Sequence, residues 1–136
     1  MGYTGGDILE ITYNHPEIGS GTIFCKSNED GTLDLGGLRT NDDANSVTGN
    51  GRFINQMNRV VASFESTIAW DMTDKDELSK INELTESPEL ADWTISSVSG
   101  AIWGGKGKPV GDVQGNTNTA LIKLKLAFEG KLKQIA

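Results

Sequence analysis

The 136 residues suffice for one domain, long enough to bury roughly two thirds of the surface that the unfolded chain exposes. Nineteen acidic against twelve basic side chains give a formal charge of -7, which opposes tight, sequence-independent attachment to a phosphate backbone. The lone cysteine, Cys25, excludes an intrachain disulfide, and no apolar run approaches the roughly twenty residues that cross a bilayer.

Met1 to Asp7 has neither the basic n-region nor the apolar h-region of an export signal, so a soluble, unexported chain is expected. From Ile8 to Tyr13, Ile8, Glu10 and Thr12 alternate with Leu9, Ile11 and Tyr13, predicting a strand with one buried face that His15-Pro16 ends. Thr22 to Lys26 predicts a second strand, Asn28 to Gly31 a turn, and Thr32 to Leu35 a third strand, so this region reads as a hairpin. Gly36-Gly37 then opens a segment rich in Asn, Asp, Thr and Gly that runs to Asn58. So long a connection in a compact domain is disordered or makes contact with something, and Val47, Phe53, Ile54 and Met57 supply apolar anchors. It reads as an arm that docks onto a neighbouring subunit.

Asn58 to Asp71 has period two: Val60, Ala62, Phe64, Ile68 and Trp70 share a face that Ser66 interrupts, opposite Arg59, Ser63, Glu65 and Thr67. A helix over about 73–86 follows, with Thr73 as cap, Asp74, Asp76 and Glu77 in the first turn, and Leu78, Ile81 and Leu84 as apolar stripe. Ser87-Pro88 stops it. Trp93 to Val98 and Ala101 to Trp103 are strand-like, and Gly104 to Pro109 reads as a loop. A last strand, Thr117 to Phe128, puts Ala120, Ile122, Leu124, Leu126 and Phe128 inward and Thr119, Lys123 and Lys125 outward. The two period-two stretches exceed the usual five or six residues, so they are expected to outrun a private core and to pair elsewhere. Charge is uneven: residues 1–100 carry six basic and seventeen acidic groups, residues 101–136 six and two. Placed at opposite ends of a fold, these parts would suit head-to-tail association; otherwise the lysines merely solubilise a strand and the tail.

No catalytic constellation assembles. Gly100 to Gly107 matches the first part of a phosphate-binding loop, but Gly107 stands where Ser or Thr would hold magnesium, and Pro109 obstructs the helix that would receive the phosphate. His15 is the single histidine, and Asn28 to Asp34 lacks the spacing and terminal Glu of a calcium loop. The adjacent Asp42 and Asp43 are assigned to solvent or to an intersubunit contact with Arg39 or Arg52, since loop neighbours are not positioned to split their pKa values. No enzymatic role, cofactor or metal is expected. Trp93 and Trp103 leave a second class open, a monomeric β-sandwich that stacks sugars on exposed rings. Cys25 reads as a small strand residue, or as a bridge between subunits if the Cβ geometry allows.

The block from Gly37 to Gly51, the strand from Asn58 to Glu65, the stretch Ser87 to Trp93 after the helix, and Gly107 to Asp112 before a lysine-rich strand together resemble a tail tube protein of a contractile-tailed bacteriophage. The resemblance covers roughly residues 5–135. It implies a single mainly β domain over 1–136, a sandwich or barrel with one flanking helix and a projecting loop at about 36–58. Long strands would form an intersubunit inner barrel within hexameric rings, stacked into a hollow tube through which phage DNA passes. Intersubunit and inter-ring contacts then fall on Arg39, Asn41, Asp42, Asp43, Val47, Arg52, Phe53 and Ile54, on the N-terminal Gly2 to Asp7, and on Lys131 to Ala136, with Lys131 and Lys133 foremost. The implied partners are further copies of the chain, a tail sheath protein, a baseplate or tube initiator and a tail terminator, with DNA in transit and no membrane. The implied location is a virion tail assembled in the host cytoplasm. A lumen that repels phosphate weakly suggests Glu10, Asp34 and Glu65 as lining. A tube subunit of a type VI secretion or related contractile injection system is the alternative in the same structural class.

Overall fold

The structure, a computed structural model, describes residues 2–40, 46–74 and 76–136. In chain order the elements are β1 (Ile8–His15), β2 (Gly19–Ile23), β3 (Thr32–Asp34), β4 (Gly37–Arg39), β5 (Ser46–Val47), β6 (Phe53–Ile54), β7 (Asn58–Val60), β8 (Ala62–Ala69), α1 (Glu77–Glu86), β9 (Ala91–Ser97), β10 (Ile102–Pro109), β11 (Gly115–Asn116), β12 (Leu121–Phe128) and β13 (Lys133–Gln134).

The main sheet is antiparallel, in the order β2-β1-β9-β10-β12-β8-β3. Its two ends meet. Beyond β2 the chain continues along the free side of β8, where Cys25 bridges Ile68, Lys26 N–H donates to Thr67 O (3.0 Å) and Ala69 N–H donates to Phe24 O (2.8 Å). The sheet thereby closes into a barrel, which removes most of its edges. Alternation places Ile11, Tyr13, Ile23, Phe64, Ile68, Trp93, Ile95, Ile122, Leu124, Leu126 and Phe128 in one core, joined by Ile81 and Leu84 of α1. The expected mainly β barrel with one flanking helix is what the chain forms.

Local chemistry explains the corners. His15 is buried, and its Nδ1 accepts the N–H groups of Glu17 (3.0 Å) and Ile18 (3.1 Å), holding the β1–β2 turn. Its Nε2 then carries the hydrogen, facing Ser87 Oγ at 3.0 Å and Glu89 O at 3.2 Å just past α1. The single histidine is thus a structural tie between a hairpin turn and the helix end. Trp93 is 1% exposed, donates from Nε1 to Gly107 O (2.9 Å) and packs on Tyr13 with ring centroids 5.4 Å apart.

Several sequence expectations are corrected. The Asn28–Gly31 turn does not make a hairpin: residues 24–26 and β3 both run antiparallel to β8, so the turn bulges out of one continuing direction. Gly104 to Pro109 is strand, not loop. Ala91 faces Gly107 and Trp93 faces Gly105 across the ladder, and a Cβ at Gly107 would lie 2.2 Å from Ala127 O. These glycines permit close backbone approach inside a strand. The helix begins at Glu77, not Thr73; Asp76 is its N-cap without a side-chain cap bond, while Thr73 donates its N–H (3.0 Å) and its hydroxyl (2.6 Å) to Asp71 Oδ1.

The two long strands are also shorter than expected. The 58–71 stretch breaks at Val61 into β7 and β8, and Thr117 to Ala120 forms a turn before β12, with Ala120 at φ 57°. The eight residues of β8 are spanned by β12 on one side and by β3 and Cys25 on the other. β12 pairs along its other side with β10 and β11. Neither strand outruns its own core: each is paired along most of both edges within the chain.

Candidate self-association surface

Gly36, at φ 72°, turns the chain out of the barrel where a Cβ would approach Ala62 N to 2.6 Å. From there the arm rises as a two-stranded ribbon. β4 pairs with β7 in the register Gly37↔Val60, Leu38↔Arg59, Arg39↔Asn58, and further out Ser46↔Ile54 and Val47↔Phe53 pair β5 with β6. At the tip Thr48 N–H donates to Arg52 O (2.7 Å), Gly51 N–H donates to Thr48 O (2.9 Å), and Arg52 N–H donates to Thr48 Oγ1 (3.0 Å). At the base Arg39 forms an ion pair with Asp34, whose carboxylate also accepts Gly36 N–H (2.9 Å). These contacts, Arg39 first, hold the Asp34 carboxyl below its ordinary range.

Among the described residues the arm's strands pair with each other, and its apolar side chains stay largely exposed. Val47 is 65% and Phe53 66% exposed, and they stand directly opposite each other, on one face of the ribbon. Leu38, Ile54, Met57 and Val61 are also exposed. Thr40 Oγ1 reaches Met57 Sδ at 3.6 Å across the ribbon. At the base the Nδ2 of Asn58 is buried without a hydrogen-bond partner among the described residues. A two-stranded ribbon is marginal on its own, and an apolar cluster held clear of the core marks an interaction surface.

The sequence-predicted contact residues fall into three groups. Arg39, Val47, Arg52, Phe53 and Ile54 lie together on the arm, whereas Asn41, Asp42 and Asp43 lie outside the described residues. Lys131 and Lys133 are elsewhere: the tail folds back, Leu132 is buried and donates its N–H to Leu35 O (3.0 Å), and β13 pairs with β10. The backbone of the tail is therefore engaged within its own chain. The N-terminal Gly2 to Gly6 is exposed, Tyr3 completely so.

The three lining candidates do not form one acidic wall. Glu65 stands opposite Lys125 on the outward face, Asp34 is taken by Arg39, and Glu10 lies apart on β1 opposite Ser96. Lys123 and Lys125 project outward beside Thr67 and Glu65, so this face mixes signs. Trp93 is core, and Trp70 and Trp103 are half-buried against it, so none of the three rings stands out as a sugar platform. Cys25 borders a cavity of about 290 Å³ at one end of the barrel with Ser66, Phe64 and Trp103. Burial pushes its thiol pKa up, partly opposed by a hydrogen bond from Ser66.

Sequence reasoning missed the exposure of Leu38, Val61, Phe24 and Met72. None of the four was singled out from the sequence, and only the closure of the barrel decides which apolar residues it leaves outside.

No protein-family model and no curated protein matches the sequence. Among solved structures, the chain is similar to one in the anti-feeding prophage baseplate, determined by cryo-electron microscopy with 6-fold symmetrisation. Identity is 13%, coverage is 100% of this chain and 98% of that one, and the TM-score is 0.48.

Proposed function

We propose that this protein is a non-catalytic structural subunit of a contractile-tail tube, assembling with copies of itself into stacked hexameric rings through its arm. One observation carries the reading: a folded barrel with its own core projects a ribbon whose Val47, Phe53, Ile54 and Met57 are left exposed. Burying such residues at roughly 25 cal/mol per Å² is a favourable term that only a partner surface supplies. The resemblance of the Gly37–Gly51 block and its flanking strands to phage tail tube proteins gives the partner as another copy. In this reading DNA passes through the lumen without being held, the sheath protein, initiator and terminator bind the tube's outside and ends, and assembly takes place in the host cytoplasm.

Sedimentation velocity and negative-stain imaging of the purified chain at rising concentration test this. Rings or tubes are the expected result; a persistent monomer, both alone and in particles from infected cells, overturns it.

A further inference from the structure

The arm and a second feature of the barrel lie at opposite ends of β8. The arm leaves beside Ala62, where β8 begins; β8 ends at Ala69, about 23 Å away at ~3.3 Å per residue. There a groove of about 440 Å³ runs between β2 and the start of α1, floored by Tyr13, Ile23, Trp70 and Ile81.

Three properties of this groove complement the arm tip. The first is backbone. β2 is a terminal strand, paired among the described residues only with β1. Because Phe24 and Lys26 direct their backbone groups toward β8, two-residue alternation turns those of Thr22 and Ser20 the same way, past the end of β8, where no strand of the described residues meets them. Such an edge accepts an added strand. The second is apolar: Phe24, on the groove wall, is 58% exposed. The third is charge. Asp71, Asp74 and Glu77 line one side, three carboxylates against the single lysine of the lining, Lys80; they accept hydrogen bonds from Thr73, Asp76 and Asp71, and among the described residues none is ion-paired. Across 71–80 the sequence has four carboxylates against two lysines.

The arm tip is the matching object. Residues 46–54 carry one charge, Arg52, with no carboxylate in ion-pair reach among the described residues, flanked by the exposed Val47, Phe53 and Ile54.

We propose that the groove between β2 and α1 receives the arm tip of a second copy, with Arg52 against Asp71, Asp74 and Glu77 and the apolar tip residues against Phe24 and the β2 edge. The inference rests on the self-assembly reading above and adds the receiving surface. Since donor and acceptor are different patches at opposite ends of one barrel, the contact is heterologous and propagates from copy to copy. Desolvated charge pairing fixes which face is chosen, and apolar burial supplies affinity.

Charge exchange and cross-linking test it on the full chain. Arg52→Glu alone, and Asp74→Lys with Glu77→Lys alone, each raise the concentration needed for assembly by about tenfold or more, and the combined variant recovers most of that loss. In a Cys25→Ser background, mixing Phe53→Cys chains with Phe24→Cys chains under mild oxidation gives covalent dimers that neither gives alone. If neither rescue nor mixed dimers occur while removal of the arm still prevents assembly, the receiving surface is elsewhere and this proposal falls alone. Dimers from Phe53→Cys by itself also overturn it, since they report tip against tip. A wild-type chain that never assembles removes the self-assembly reading and this one with it.

Discussion

Replacing the glycines of β10 one at a time separates a strand that needs close approach from a flexible loop. A Cβ at Gly107 lies 2.2 Å from Ala127 O and 2.8 Å from Phe128 Cδ1, the first a backbone atom locked into the β10–β12 ladder. At Gly105 the nearest atom is Leu132 Cδ2 at 2.9 Å, the end of a buried side chain; at Gly104 it is Ile135 Cδ1 at 2.5 Å, the end of an exposed one. Gly49, on the arm, meets nothing within 4 Å. Overpacking a fixed core costs roughly 1–3 kcal/mol, and a backbone obstacle lies at the upper end. Gly107→Ala is therefore expected to lose about 3 kcal/mol and Gly105→Ala about 1, whereas Gly104→Ala and Gly49→Ala stay within about 0.5. With a urea m-value of roughly 2 kcal/mol/M, the Gly107→Ala midpoint falls by about 1.5 M. Urea titrations followed by tryptophan fluorescence measure the series. A Gly107→Ala midpoint equal to wild type, or a Gly104→Ala loss as large as that of Gly107→Ala, refutes the reasoning.

Three further outcomes follow from buried groups. Trp93→Phe strands the Gly107 carbonyl, and thermal unfolding should show a loss of about 2 kcal/mol; no loss would mean that the indole bond to Gly107 contributes nothing. His15→Ala removes the acceptor of two turn N–H groups and the tie to Ser87, so about 2–4 kcal/mol of stability should go; a neutral substitution contradicts its structural role. The Cys25 thiol, raised by burial, should be alkylated more slowly than a free thiol at pH 7–8, gaining rate only as pH passes the ordinary thiol range. Labelling of the folded chain at the free-thiol rate would contradict the burial of Sγ.

Which parts of the fold were legible in the sequence depended on how local their cause is. The alternation through Ala62, Phe64, Ser66 and Ile68, and through Ile122 to Phe128, marks faces correctly because one residue's neighbours fix its side. The stripe Leu78, Ile81, Leu84 likewise marks the buried side of α1, with Ile81 and Leu84 fully inside. Strand ends were not legible, since the pattern runs on into the Thr117–Ala120 turn and across Val61. Nor was the direction of the chain after Asn28–Gly31: turn residues report a bend, and only pairing with β8 shows that both flanks run the same way. Glycines read as loop when the reason for them, Ala127 and Phe128 on the next strand, is some twenty residues away. Of the candidate surface, the arm was legible from its composition, because a polar segment holding Val47, Phe53 and Ile54 has no periodicity by which to bury them. The receiving groove was not, because an open strand edge is a property of the closed barrel.

Deletion of residues 41–51 is the most direct test, because it removes the tip turn and β5, and with it the outer ladder, while leaving β4, β7 and the whole barrel. Sedimentation velocity and a thermal melt on this variant beside wild type should show an unchanged cooperative unfolding transition and a monomer at every concentration where wild type assembles. Tubes of normal length from the deleted chain, or loss of the folded state, would contradict a self-sufficient barrel joined to its neighbours by the arm.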